Sequence, residues 1–375
     1  MRIIMDNSGK NISYKEAGVN IDAADELKRQ IRTAVSSHKL DHCAPLNRVG
    51  AFASLVELDL AGYKKPIFIL KSEEPGSKQI LSIDNGRAGW IAADLINHLV
   101  NDIIVTGATP CAVLDTIICG KLEGETVFRL VDGMSKACRD NGCVLVGGET
   151  SEQPGVLPEG RYILQASILG VADRDKIIDG AAIQNGDVLI ALASNGLHTN
   201  GYSLVRKLME AKPEILGEHV GGRSFMESIL LPHTPYAAAV KALLGKHPGA
   251  VSGMAHITGG GMRDNLVRIL NGAGLRAAID LQTVRVPPVF GVIKRYAGTD
   301  DADMLRTFNN GVGMILAVRA ESADAVIRGL REFALNGNDV WPGLGACGDD
   351  YAYKIGSIVP GERGVEFLGS LNWDR

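Results

Sequence analysis

Residues 90–110 constrain this chain more than any other stretch, because they read as one long apolar helix crossed by a single polar stripe. Asp94, His98 and Asn101 or Asp102 recur at helical spacing, while Ile91, Ala92, Ala93, Leu95, Ile96, Leu99, Val100, Ile103, Ile104 and Val105 fill most of the remaining circumference. Such a helix is expected to be buried. A carboxylate taken out of water is costly unless it is paired, hydrogen-bonded or metal-bound. The stripe therefore faces a partner group or a wet functional cleft, with caps and buried ion pairs as the alternative. Gly107 ends the helix and Pro110 starts a new segment.

With 375 residues, 46% of them hydrophobic, the chain can bury a sizeable core, and two domains are expected. The polar run Asp173-Arg174-Asp175-Lys176 places the boundary, giving units 1–173 and 174–375. A net charge of −4 without any Lys/Arg-rich run excludes the electrostatic footprint of a nucleic-acid binder. The apolar runs are too short for a bilayer and the N-terminus carries no signal-peptide core, so a cytoplasmic protein without a membrane partner is expected. Six cysteines without Cys-x-x-Cys spacing read as reduced thiols rather than a zinc site.

Strands and helices alternate along the chain. Residues 22–36 read as a helix and 38–48 as a loop; the β-rich runs 51–58 and 66–70 read as paired strands about a turn at Gly62. Next comes Lys71-Ser72-Glu73-Glu74-Pro75-Gly76-Ser77-Lys78, a polar loop with the ingredients of a phosphate cradle or of an ordinary surface turn. Residues 112–118 are expected as a strand, 124–141 as an amphipathic helix, and 143–146 as a short strand ending in Gly147-Gly148-Glu149-Thr150. There Glu149 is either a site residue or a solvated turn residue. A strand over 162–171 completes the first half.

The second half opens with a strand over 187–193, the loop Ser194-Asn195-Gly196-Leu197-His198-Thr199-Asn200-Gly201 and a helix over 202–210. His198 in such a loop binds phosphate, transfers protons or fills space. His256-Ile257-Thr258-Gly259-Gly260-Gly261 precedes a helix expected over 262–270, where backbone N–H groups and the helix dipole favour an anion. Phe308-Asn309-Asn310-Gly311-Val312-Gly313 leads into a strand over 314–318. A helix over 323–335 and a last strand over 353–358 follow, and the chain beyond Pro360 reads as a tail.

Tyr14-Lys15-Glu16-Ala17-Gly18-Val19, Val100-Asn101-Asp102, Gly107-Ala108, Gly120-Lys121-Leu122, Gly147-Gly148-Glu149-Thr150, residues 198–206, residues 256–261 and residues 307–314 stand in one order along nearly the whole chain. In these motifs the chain resembles the phosphoribosylformylglycinamidine cyclo-ligases, or aminoimidazole ribonucleotide synthetases, of purine biosynthesis. The resemblance implies an α+β fold of two domains, in which the N-terminal domains of a homodimer share a β-barrel and the C-terminal domain packs helices on a sheet. It also implies ATP- and Mg2+-dependent closure of formylglycinamidine ribonucleotide to the aminoimidazole, through phosphoryl activation of the formamide oxygen.

Carried onto this chain, the resemblance implies Asp94, Asp102 and His198 as catalytic residues. Glu73, Gly76, Ser77, Lys78, Asn101 and Glu149 would serve the nucleotide, with Glu73 and Asp102 as Mg2+ ligands. His256, Thr258, Gly259, Gly260 and Gly261 would take the substrate phosphate, apart from the nucleotide loop. His198, with an unperturbed pKa of about 6.5, would hydrogen-bond a phosphate or shuttle a proton. Three stretches depart from the family pattern. The usual Gly-Thr-Asp-Gly-Val-Gly-Thr-Lys loop is residues 71–78 here, where Pro75 removes an N–H. The earlier Gly-rich element is Gly50-Ala51-Phe52-Ala53-Ser54, and the His-Asp pair before the central helix is Ala88-Gly89. A related ribonucleotide-binding protein without ATP chemistry is the alternative, and another phosphate ester handled by the same architecture is a third.

Overall fold

The computed structural model describes residues 29, 35, 40–47, 50–272, 274–335 and 350–373. The expected entry segment, most of the helix expected over 22–36 and Cys347 lie outside them. In chain order the first half runs β1 (Cys43–Pro45), β2 (Val56–Leu58), β3 (Pro66–Glu73), α1 (Lys78–Asp84), α2 (Ala88–Ile104), β4 (Thr109–Cys119), α3 (Gly124–Asp140), β5 (Val144–Glu152) and β6 (Tyr162–Asp173). The strands β3, β6, β4 and β5 form one sheet in that order, antiparallel except for the parallel pair β4 and β5.

Alternation along β3 decides what this sheet does. Ile69, Lys71 and Glu73 point to the face that carries α2, while Phe68, Leu70 and Ser72 point away from it, as period-two geometry requires. On that outer face Leu70 opposes Leu169, and Ser72 opposes Ser167, which in turn opposes Leu114 of β4. Phe68, Leu70, Leu114 and Ile163 are exposed. The inner face and α2 and α3 enclose one apolar core that continues to Val240 and Leu243 of the second half.

Several expectations fail in this half. The run ending at Leu58 pairs with Cys43–Pro45, inside the loop expected over 38–48, rather than with β3, and β3 runs on through Lys71 to Glu73, the start of the expected polar loop, in its ladder with β6. The strand expected to stop at Val146 continues through Gly147 and Gly148 to Glu152. A slip of register between Val113 and Leu114 passes over Val146 and brings Gly147 and Gly148 opposite Leu114 and Asp115, where a side chain at Gly148 would collide with Asp115. No helix among the described residues is long and apolar enough to cross a membrane.

The second half runs β7 (Val188–Ala193), α4 (Tyr202–Ala211), a short hairpin of β8 (His219–Val220) and β9 (Arg223–Ser224), α5 (Phe225–Leu230), α6 (Ala237–Lys246), β10 (Val251–His256), α7 (Gly261–Leu266), β11 (Leu275–Asp280), α8 (Pro288–Ala297), α9 (Asp301–Thr307), β12 (Val312–Val318), α10 (Ala323–Leu335), β13 (Ala352–Pro360) and β14 (Val365–Leu368). Its sheet has the order β10, β12, β7, β13, β11, β14. β12 is apolar at every position but glycine and is buried throughout, as an inner strand covered on both faces must be. The expected tail beyond Pro360 is instead the edge strand β14, parallel to β11, followed by buried Leu371. The architecture is α+β. Among the described residues the first sheet remains open and does not close into a barrel within one chain.

Candidate functional site

The polar stripe of α2 divides into two rows. Asp94, Asn97 and Asn101, spaced three and four apart, are fully buried and grip the segment 231–236 that enters from the second half. Asp94 Oδ1 accepts from the His233 amide at 2.8 Å, Asn97 Nδ2 donates to the His233 carbonyl at 2.6 Å, and Asn101 takes both the Thr234 carbonyl (2.8 Å) and the Tyr236 amide (3.1 Å). Lys78 lies wholly inside the same seam. Its Nζ stands 2.8 Å from Asp94 Oδ2 and donates to Asp94 Oδ1 at 2.9 Å and to the Leu231 carbonyl at 2.7 Å. Burial pushes the Asp94 carboxyl up to about 6 and the Lys78 ammonium down, each against the pull of its partner. In this structure all three residues expected at the nucleotide or in catalysis are engaged within the seam: Asp94 and Lys78 form a fully buried ion pair, and the Asn101 amide is hydrogen-bonded to backbone.

His98 and Asp102, one turn apart, face a cleft at the end of β3. Asp102 Oδ1 accepts from His256 Nδ1 at 2.7 Å, and Asp102 Oδ2 lies 3.1 Å from Lys71 Nζ, which also contacts Glu73 Oε2 at 2.9 Å. His98 Nε2 lies 3.7 Å from Asp102 Oδ2 and 3.8 Å from Glu73 Oε2. Burial acts to raise the Asp102 carboxyl, but the hydrogen bond and charge of His256, with His98 and Lys71, outweigh it and hold Asp102 well below the usual carboxylate range. His256 Nδ1 donates to the Asp102 carboxylate, and the other ring nitrogen, Nε2, shares a hydrogen bond with His233 Nε2 at 2.9 Å. The result is a relay from His233 through His256 to a carboxylate.

His198 joins this cluster from the far side, in a left-handed backbone conformation (φ 59°). Its ring stacks on His233 with centroids 3.9 Å apart, and its Nε2 meets Thr234 Oγ1 at 3.2 Å. Burial, then the neighbouring histidines, drives the pKa of His198 and of His233 well below the ordinary value, and the same causes bring His98 down to about 4. His198 is thus a buried ring stacked on His233, with burial disfavouring its charged form relative to the ordinary pKa expected of it. Because the folded chain binds these protons more weakly than the unfolded chain, the cluster's contribution to stability is complete above about pH 6.5. It is lost as pH falls toward about 4. Melting temperature should therefore drop between pH 7 and pH 5, and His233→Asn should flatten that slope; an unchanged slope would mean the ring is charged in the folded protein.

Three turns meet above the cleft. Gly76 lies against the Thr199 carbonyl, Thr199 Oγ1 contacts His98 Nδ1 at 3.2 Å, and Gly259 lies against Asn200. Ser77 sits at the start of α1 without capping it. Asn265 ties down the carbonyls of Thr258, Gly259 and Gly261, and the Gly261 amide is spent on the Thr258 carbonyl. The helix expected over 262–270 is α-helical over Gly261–Leu266 and continues as a 3-10 turn over Val267–Ile269. His256, from the group expected at the substrate phosphate, holds Asp102, from the group expected at the metal, directly. Glu149 lies away from both, exposed on β5, three strands from Glu73, about 14 Å at normal strand spacing. At the position of the missing family histidine, Ala88 is buried, and Gly89 packs against Gly133. Sequence reasoning missed Lys71 and His233; the latter's only local signal is its place between Pro232 and Pro235, which hold that segment extended against α2.

Residues 74–172 match the family described as AIR synthase related protein, N-terminal domain, and residues 184–341 match its C-terminal domain. The chain is 39% identical over 332 residues to the phosphoribosylformylglycinamidine cyclo-ligase of Burkholderia multivorans (strain ATCC 17616 / 249), covering 88% of this chain and 92% of that protein. To the same enzyme of Paraburkholderia xenovorans (strain LB400) it is 39% identical over 353 residues, 94% of this chain and 97% of that one. Among solved structures, hydrogenase maturation protein HypE in complex with ATP superposes with a TM-score of 0.59 at 19% identity, covering 98% of this chain and 97% of that one. At that identity the likeness speaks to the fold alone.

Proposed function

The chain belongs to the phosphoribosylformylglycinamidine cyclo-ligase family, and on that premise we propose that it closes the imidazole ring of formylglycinamidine ribonucleotide at the expense of ATP. The observation that carries this reading is the extent of the match, which spans nearly the whole chain at one level of identity. A ribonucleotide-binding relative without chemistry is disfavoured by the same extent. The amide oxygen of the substrate is a poor leaving group, and phosphorylation converts it into a good one before the amidine nitrogen attacks.

Glu73 and Asp102 would hold the divalent cation, as two carboxylates that now share the Lys71 ammonium, with His98 and His256 beside Asp102. Mg2+, when bound, would supply neutralisation of phosphate charge. His256 orients Asp102, Gly76 and Ser77 form the turn nearest the nucleotide, and the relay to His233 holds a proton within the cleft. The turn of Thr258 and Gly259 takes the substrate phosphate, aided by Asn200, whose buried Nδ2 has no partner. In this reading residues 1–173 carry the nucleotide and metal, residues 174–375 carry the substrate phosphate, and the setting is the cytoplasm. The exposed apolar face of the first sheet is covered by a second copy of the chain, since a patch bearing Phe68, Leu70, Leu114 and Ile163 is an interaction surface in the making. Two such sheets would complete the barrel.

Incubation with ATP, Mg2+ and the ribonucleotide should yield the aminoimidazole product and ADP in equal amounts; ATP consumption without product would remove the assignment. Gly259 offers the cleaner probe of the phosphate turn. At Gly260 a side chain would meet Asp264 at 2.4 Å on a backbone of φ +88°, so Gly260→Val tests folding. At Gly259 the nearest atom is Asn200 Oδ1 at 3.5 Å. Gly259→Val should raise KM for the ribonucleotide by about tenfold, the loss of one good phosphate contact, with KM for ATP nearly unchanged. The opposite pattern would exchange the two phosphate sites.

A further inference from the structure

Two lysines bound the polar run from Lys71 to Lys78, and they stand in different surroundings. Lys78, at its end, is fully buried and gives its ammonium to Asp94 and the Leu231 carbonyl. Lys71, at its start, occupies the place of the first glycine in the usual family loop, and its side chain is 37% exposed. Its Nζ lies 2.9 Å from Glu73 Oε2 and 3.1 Å from Asp102 Oδ2. We propose that Lys71 is the lysine of this cleft that binds the phosphates of ATP, releasing Glu73 and Asp102 to Mg2+ as the nucleotide arrives. The proposal rests on the reading of the chain as an ATP-dependent cyclo-ligase and names the residue that takes the triphosphate.

Position, charge and reach support this. A chain of contacts ties the ammonium's corner to the turns above the cleft: Asp102 Oδ2 lies 3.7 Å from His98 Nε2, His98 Nδ1 meets Thr199 Oγ1 at 3.2 Å, and the Thr199 carbonyl lies against Gly76. Two carboxylates around one ammonium leave the corner negative, and without Lys71 it would repel a triphosphate more strongly still. Mg2+ is held by one or two carboxylates together with substrate phosphates, so an ion on Glu73 and Asp102 displaces the ammonium and brings phosphate oxygens beside it. An ammonium on a flexible four-carbon stem, with three rotatable donors, suits that exchange. At its present exposure Lys71 can move without stranding a charge in the interior. Asp102 keeps its other oxygen on His256 Nδ1 at 2.7 Å, which holds the carboxylate in place when the ammonium leaves.

The test is calorimetric titration of the full-length protein with a non-hydrolysable ATP analogue in Mg2+, with AMP as the probe that lacks the outer phosphates, and titration of the nucleotide-free protein with Mn2+ followed by electron paramagnetic resonance. Lys71→Ala should weaken the analogue by at least about tenfold, the loss of one charge-assisted hydrogen bond, and change AMP binding little. It should also tighten Mn2+ binding, since the competing ammonium is gone. Lys71→Arg should keep most of the triphosphate affinity, and Lys71→Gln replaces the alanine variant if that one is unstable. A lysine that only ties β3 to α2 gives a different split: thermal stability falls while analogue affinity per folded molecule stays the same. Unchanged analogue affinity in the neutral variants, an equal loss for AMP, or Mn2+ affinity that falls in them overturns the proposal. Ring closure assayed separately keeps the readings apart: turnover with triphosphate binding independent of Lys71 sinks only the role of Lys71, whereas Lys71-dependent binding without aminoimidazole formation sinks only the ligase assignment.

Discussion

Asp102→Asn is expected to cut turnover by about 10²-fold or more, the usual consequence of removing one charged or polar group from a phosphoryl-transfer site. The substitution keeps an oxygen to accept from His256 and removes the charge that faces Glu73, His98 and Lys71. Glu73→Gln should act in the same direction, and both should shift the Mg2+ dependence to higher concentration. Circular dichroism must show a folded variant. Wild-type rate and unchanged Mg2+ dependence in both variants would remove these carboxylates from the cation site and leave them as structural partners of Lys71 and His256.

Lys78→Met should destabilise the protein by about 3–5 kcal/mol, because it leaves Asp94 charged and unpaired in a seam with no solvent access. The resemblance assigned this lysine to the nucleotide, so its variant separates two roles sharply. A structural lysine makes thermal stability fall while ATP affinity per folded molecule stays the same. Lys78→Met combined with Asp94→Asn should recover more than half of the loss, since Asn can still accept from the His233 amide. Normal stability with lost ATP affinity would return Lys78 to the nucleotide.

These two cases show which parts of the molecule were legible. Residues 90–110 announced a buried helix because their apolar positions outnumber the polar ones on every turn, and Ala88–Ile104 is that helix. Its stripe was legible as costly and therefore partnered, but periodicity cannot say by what. The segment 231–236 comes from more than 130 residues away, and only tertiary packing assigns Asp94 to it and Asp102 to the cleft. Lys71 was hidden in a polar run that looked like a turn, since nothing local reveals that β6 extends the ladder to Glu73. The burial of His198 and the lowered pKa that burial brings were not legible either, because the surroundings of an imidazole come from packing and sequence spacing does not give them. The strand at Val365–Leu368 was missed for a similar reason: a four-residue edge strand is defined by its neighbour β11 rather than by its own pattern.

The central claim is that ATP activates the formamide oxygen of the ribonucleotide, and oxygen labelling tests it most directly. With 18O in the formyl group of formylglycinamidine ribonucleotide, ATP and Mg2+, the inorganic phosphate released should carry one 18O per aminoimidazole formed. Product formed with the label in water and unlabelled phosphate would contradict the account, because the oxygen would then have left without being phosphorylated.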